Sequence, residues 1–122
     1  MPKPNIELLK RLRTRFLRMK HRKHFAMETV AERNECGTAM CIAGHALNLQ
    51  GYRFKFNEYG VLEQTFRPSG RPLKGGLLSA AAKELRLDYY GTAHELFNDF
   101  SLKTPKQAAA RIQKLIEEAE AH

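Results

Sequence analysis

The stretch Asn5–Arg22, NIELLKRLRTRFLRMKHR, decides how the rest of the chain is read. Leu9, Leu12, Phe16 and Met19 recur at intervals of three, four and three residues, the period of one helix face, and Leu8 widens the stripe. Asn5 is placed to cap the first turn with its side-chain oxygen. The spacing therefore predicts an amphipathic helix over 5–22 whose apolar side joins a core. Lys10, Arg11, Arg15, Arg18 and Arg22 fall on an arc turned away from the stripe, with Arg13 and Lys20 at its margin.

The charge of the molecule resides in the same stretch. Between Lys10 and Lys23 there are eight Lys or Arg and no acid; the remaining thirteen of the 21 Lys and Arg are matched by thirteen Asp and Glu. The net +8 is thus the charge of that segment. A solvated helix face normally mixes signs, because opposite charges at i,i+4 support a helix and like charges oppose it. An unbalanced run is an electrostatic footprint for an anionic partner. The alternative is an ordinary solvated face whose long basic stems cover apolar surface.

At 122 residues the chain is expected to be a single domain, 1–122, with its own core. No apolar run approaches the roughly 20 residues of a membrane span. No apolar stretch follows the basic N-terminus as a secretory signal requires. Two cysteines without such a signal suggest a reducing, cytoplasmic setting. Residues 25–37 read as irregular or short helical. Thr38 is placed to cap a second helix over 38–50, stopped by Gly51. Tyr52-Arg53-Phe54-Lys55-Phe56 alternates at strand period, Asn57–Gly60 turns, and Val61–Phe66 returns, which predicts a hairpin over 52–66. Arg67–Gly76 is a loop by its Pro and Gly content. Helices follow over Leu77–Arg86, from an Asp88 cap to about Asn98, and from the capping box Thr104-Pro105-Lys106-Gln107 to the end, over the span 77–120. The fold class is mostly α (α+β): about five helices around one core, with a single β-hairpin.

The most distinctive local sequence is Cys36-Gly37-Thr38-Ala39-Met40-Cys41-Ile42-Ala43-Gly44-His45-Ala46. Read physically, Gly37 permits a turn, Ala39, Ala43, Gly44 and Ala46 make a close-approach helix face, and Cys41 is a small core residue. Four roles are open to the cysteines: packing, a Cys36–Cys41 disulfide, a zinc site of Cys36, Cys41 and His45, or a Cys41 nucleophile activated by His45. Zinc needs a fourth ligand from His21, His24 or His94, and C-x4-C-x3-H is not a usual finger spacing.

The run resembles a C-G-T-x-x-C-x-A-G-x-A motif of small phage- and prophage-borne proteins of unknown function. Downstream, Ala80–Leu85, Leu96-Phe97 and Thr104-Pro105 are similar to the same pattern, so the resemblance covers roughly residues 25–120. It implies a phage-encoded protein of the bacterial host's cytoplasm, and it implies no activity and no catalytic residues. An aromatic often stands at the His45 position in the resembling proteins, which speaks against a shared metal site. The basic first helix and the aromatic hairpin lie outside the pattern.

Phe54 and Phe56 beside Arg53 and Lys55 offer a stacking platform for bases, or, more plainly, an inward aromatic face. No phosphate loop, dinucleotide fingerprint or H-E-x-x-H stands in the chain. The expectation is a non-enzymatic basic module with no cofactor. Its first helix docks on nucleic-acid backbone through Lys10, Arg11, Arg15, Arg18, Arg22 and Lys23, with Arg67 and Arg71 extending the surface. The alternative partner for the same helix is an acidic surface on a host or defence-system protein.

Overall fold

The structure, a computed structural model, describes residues 3–19, 24–27, 31–34 and 37–121. Its elements are α1 (Ile6–Arg18), β1 (Ala31–Asn34), β2 (Gly37–Met40), α2 (Ile42–Leu49), β3 (Arg53–Phe56), β4 (Leu62–Phe66), α3 (Leu77–Leu85), α4 (Thr92–Phe97) and α5 (Pro105–Glu120). Five helices and the β3–β4 hairpin give the mostly α, α+β fold that the patterning predicts. All five helices contribute to one apolar cluster, with Leu9, Leu12, Phe16, Ile42, Leu47, Leu85, Leu96 and Ile112 fully buried in it. Among the described residues no helix is long and apolar enough to cross a membrane.

The start of α1 is tied to the end of α3. The Asn5 side-chain oxygen accepts from Leu8 N at 3.2 Å, its Nδ2 donates to the Glu84 carbonyl at 3.0 Å, and its backbone N–H donates to the Leu85 carbonyl at 2.8 Å. One residue thus satisfies unpaired groups at two helix ends. From there α1 packs its stripe most extensively against α5, and its flank against α2. The helix stops at Arg18, short of Arg22: Met19 is extended, at φ −72° and ψ 112°. The like-charged run beyond it offers no i,i+4 support for another turn. Lys20, His21, Arg22 and Lys23 lie outside the described residues.

The cysteine motif folds differently from its expected 38–50 helix. Gly37–Met40 is strand β2, antiparallel to β1 with Arg33 opposite Thr38 and Asn34 opposite Gly37. This second hairpin joins the one at 53–66. Thr38 is therefore a ladder residue rather than a helix cap, and Ala39 belongs to the strand. Phe25 bridges Met40 in parallel, and Ala26 N–H donates to the Met40 carbonyl at 3.0 Å, so three chain segments compete successfully against local helix formation. The helix starts only at Ile42, with Cys41 at its N-cap. Its end is as expected. Gly51, at φ +92°, follows the last turn, with Gly51 N–H to the Asn48 carbonyl and Tyr52 N–H to the Leu47 carbonyl.

In the β3–β4 hairpin Phe54 and Phe56 are half-buried and Arg53 and Lys55 are exposed, and Phe54 packs against the core. The segment after it is more ordered than a loop. Arg67 N–H donates to the Arg71 carbonyl and Leu73 N–H to the Thr65 carbonyl, both at 2.8 Å, folding the chain back along β4. α4 begins after Gly91, not at Asp88, whose carboxylate instead takes Tyr90 N–H in the preceding turn. α5 has the full capping box of Thr104 and Gln107.

Candidate anion-binding groove

Four of the five cations of α1 are held in place, from both sides of the helix. Toward α5, Lys10 Nζ lies 3.2 Å from Glu120 Oε1, both half exposed, and Arg13 donates to the Gln113 carboxamide. Toward α2, Arg11 Nη2 donates to the Leu49 carbonyl at 2.9 Å and Nη1 to Gln50 Oε1 at 3.1 Å, capping the helix end where carbonyls lack partners. Arg15 Nη1 donates to Asn48 Oδ1 at 2.8 Å. Arg18 is exposed and has no partner among the described residues. Arg11 and Arg15 thus do more than face solvent: they join α1 to the end of α2, a role the helical arc did not reveal.

These acceptors are carboxamides and a carbonyl. They orient the guanidinium groups and leave their charge uncompensated. Burial, and then the like charge of Arg11, lowers the Arg15 pKa from its ordinary value. A site with repelling, partly desolvated cations gains most from an added anion.

Behind Arg15 stands His45, 3% exposed. Its Nε2 donates to the His24 carbonyl at 2.9 Å, and its Nδ1 faces Arg15 Nη1 at 3.4 Å. Its ring stands edge-on to Phe16, at 5.1 Å between centroids. Burial pushes the His45 pKa down to about 4, with the positive charge of Arg15 acting in the same direction against the His24 carbonyl. The imidazole is neutral at pH 7, with its proton on Nε2.

Lys10, Arg11, Thr14, Arg15 and Arg18 line a groove of about 730 Å³ between α1 and the β2–α2 segment. Met19, Met40 and Leu49 give it an apolar floor, and among the described residues no acid lines it. The structure therefore gathers four of the predicted cations, Lys10, Arg11, Arg15 and Arg18, on one wall. Arg22 and Lys23 lie outside the described residues. Arg67 and Arg71 are exposed on the turn after β4 and do not line the groove. Arg67 borders a separate cavity of about 160 Å³ with Lys74, Lys83 and Glu84. The floor had no sequence signal: Met19 reads as core, and Met40 reaches the groove only because it ends a strand.

The cysteine motif is packing where it is described. Cys41 is a free thiol, 3% exposed, and burial raises its pKa, which disfavours the thiolate that nucleophilic chemistry needs. Both His45 ring nitrogens are engaged elsewhere, by Arg15 and His24. Cys36 lies outside the described residues, and with it the disulfide and the zinc set Cys36, Cys41 and His45. Among the described residues no three His, Cys, Asp or Glu come together as metal ligands. Ala43, Gly44 and Ala46 are buried on α2, which packs closely on α3.

Compared with known protein families, curated proteins and solved structures, the chain matches none.

Proposed function

We propose that this protein is a non-enzymatic basic module that docks on nucleic-acid backbone through α1. One observation carries the reading. α1 presents Lys10, Arg11, Arg13, Arg15 and Arg18, yet among the described residues only Lys10 meets a carboxylate. A helix whose cations served stability alone would be expected to set acids among them at i,i+4. Here neutral groups position Arg11, Arg13 and Arg15 and leave their charge available to phosphates, which need no base-specific geometry.

Phosphate contacts by the four groove cations give a salt dependence that measures them. The logarithm of affinity should fall against the logarithm of salt with a slope of about −3, from roughly 0.7 to 0.9 per contact. A titration of labelled oligonucleotide over a range of salt concentrations reads this slope. Absence of binding at low salt would remove the nucleic-acid reading.

A second reading is favoured by the groove's apolar floor. In it, a phage-type accessory protein receives an acidic, amphipathic segment of a host or defence-system protein, as other helical grooves receive peptides. Affinity purification separates the two: nuclease-sensitive nucleic acid accompanies the protein in the first, a defined protein in the second. In both readings the proposed site of action is the cytoplasm.

A further inference from the structure

We infer that the groove beside α1 takes single-stranded rather than duplex nucleic acid, with phosphates on the Arg11, Arg15 and Arg18 wall and a base on the Met19, Met40 and Leu49 floor. The inference rests on the proposed docking of nucleic acid on α1 and adds which form of it is bound.

Two features of the groove make different demands. Its wall is a row of cations at four- and three-residue spacing, about one per helical turn of 5.4 Å along the axis. That row suits a linear polymer with regularly repeated negative charge. The rest of the groove's described lining includes the apolar Met19, Met40 and Leu49, against which a flat apolar face can lie. Duplex nucleic acid hides its base faces in the stack and offers phosphates and sugars outward. It would meet the wall and leave the floor empty. A single strand offers both; its sites commonly combine a cationic track with aromatic rings on which bases stack, and here the apolar side chains of Met19, Met40 and Leu49 take the place of the rings. The volume, about 730 Å³, is within the range of roughly 300–1,000 Å³ in which small-molecule sites fall.

The neighbouring groups support a preformed site. Arg11 is held by Leu49 and Gln50, and Arg15 by Asn48 and His45, so two guanidinium groups are oriented before any ligand arrives. An acidic peptide would satisfy the charge and part of the floor, but nothing in a peptide requires cations spaced evenly along one helix.

The test is fluorescence anisotropy on the full chain with three probes. They are an oligodeoxythymidylate of about 12 nucleotides, a duplex of the same length, and an abasic strand of that length. We expect the oligothymidylate to bind about tenfold more tightly than either of the others. Leu49→Ser should bring the oligothymidylate close to the abasic strand while leaving duplex affinity unchanged. If that variant melts early, the three affinities of the unaltered protein decide alone. Equal binding of strand and duplex, or of abasic and thymidine strands, overturns the single-strand inference and leaves backbone docking standing. Binding of none of the three overturns both, and preference for an acidic amphipathic peptide then assigns the groove to a protein partner.

Discussion

Helices α1 and α5 lie against each other with equivalent apolar seams and opposite treatments of charge. Along α5, Lys106, Arg111 and Lys114 are balanced by Glu117, Glu118 and Glu120, and Gln113 donates to Glu117 at 3.0 Å. Along α1 a single acid, Glu7 in the first turn, accompanies five cations. Both helices bury their stripes to the same degree, Leu9, Leu12 and Phe16 on one and Ala108, Ile112 and Ile116 on the other. Packing therefore does not require the charge of α1. The difference teaches that the helix is tolerated as a repelling array because neutral acceptors on α2 and α5, with one carboxylate at Glu120, hold it in place.

The equivalence of the seams has the largest measurable consequence. Phe16, fully buried and edge-on to both Phe25 and His45, should cost about 3–5 kcal/mol on truncation to Ala. Ile112→Ala on the opposing seam should cost about 2–5 kcal/mol. Chemical denaturation reads both. A loss well under 1 kcal/mol for Phe16→Ala would mean that α1 is not part of the core.

Behind the groove, His45 of α2 makes stability depend on pH. The His45 pKa is about 4 in the folded chain and about 6.5 unfolded. Its contribution is full above pH 6.5 and is lost as pH falls toward 4, because in that window the unfolded chain takes up a proton that the folded one refuses. Integrated over the window, the loss is about 3 kcal/mol. Denaturation at pH 7.5 and 4.5 should show a steeper decline for the natural protein than for His45→Gln. Parallel declines would show that the ring titrates freely.

Much of α5 was legible in the sequence, and the reason is locality. Thr104, Pro105 and Gln107 are neighbours, and the stripe repeats within one helix. The apolar face of α1 was legible on the same grounds. The β1–β2 hairpin was not, because Glu32, Arg33 and Asn34 lack the alternation that marks a strand, and the pairing is reinforced by Phe25 from outside it. The cations of the candidate site were legible as a charge run. Their acceptors were not: Arg15 reaches Asn48 across 33 residues and Arg13 reaches Gln113 across 100. No local pattern records such contacts, and the apolar floor is likewise assembled from the ends of three elements.

The buried small residues of α2 yield an intermediate effect. Ala43 is fully buried, so Ala43→Leu should overpack the contact with α3 by about 1–3 kcal/mol and lower the melting temperature by several degrees. An unchanged melting temperature with lost ligand binding would make that face a docking surface and shift attention from α1.

The smallest expected effect is the most direct probe of the two helices. Arg18→Glu on α1 removes an exposed cation with no partner among the described residues. It should weaken oligonucleotide binding about tenfold at low salt, which is roughly 1.4 kcal/mol, without moving the melting temperature. Lys114→Glu, exposed on α5, carries the same change in net charge and should weaken binding much less. Equal losses would reduce the distinction between the helices to overall charge.

The double role of Asn5 has a consequence for synthesis. Its amide donates to Glu84, 79 residues further along the chain. At roughly 5–20 residues per second, that separation amounts to about 4–16 s of translation. During this interval the first helix leaves the ribosome without the carbonyls that anchor its start, and α5, which covers its apolar stripe, follows later still. The most basic part of this sequence is thus made well before the residues that secure it. Any nascent-chain factor or RNA that meets it early would do so while its apolar side is still open.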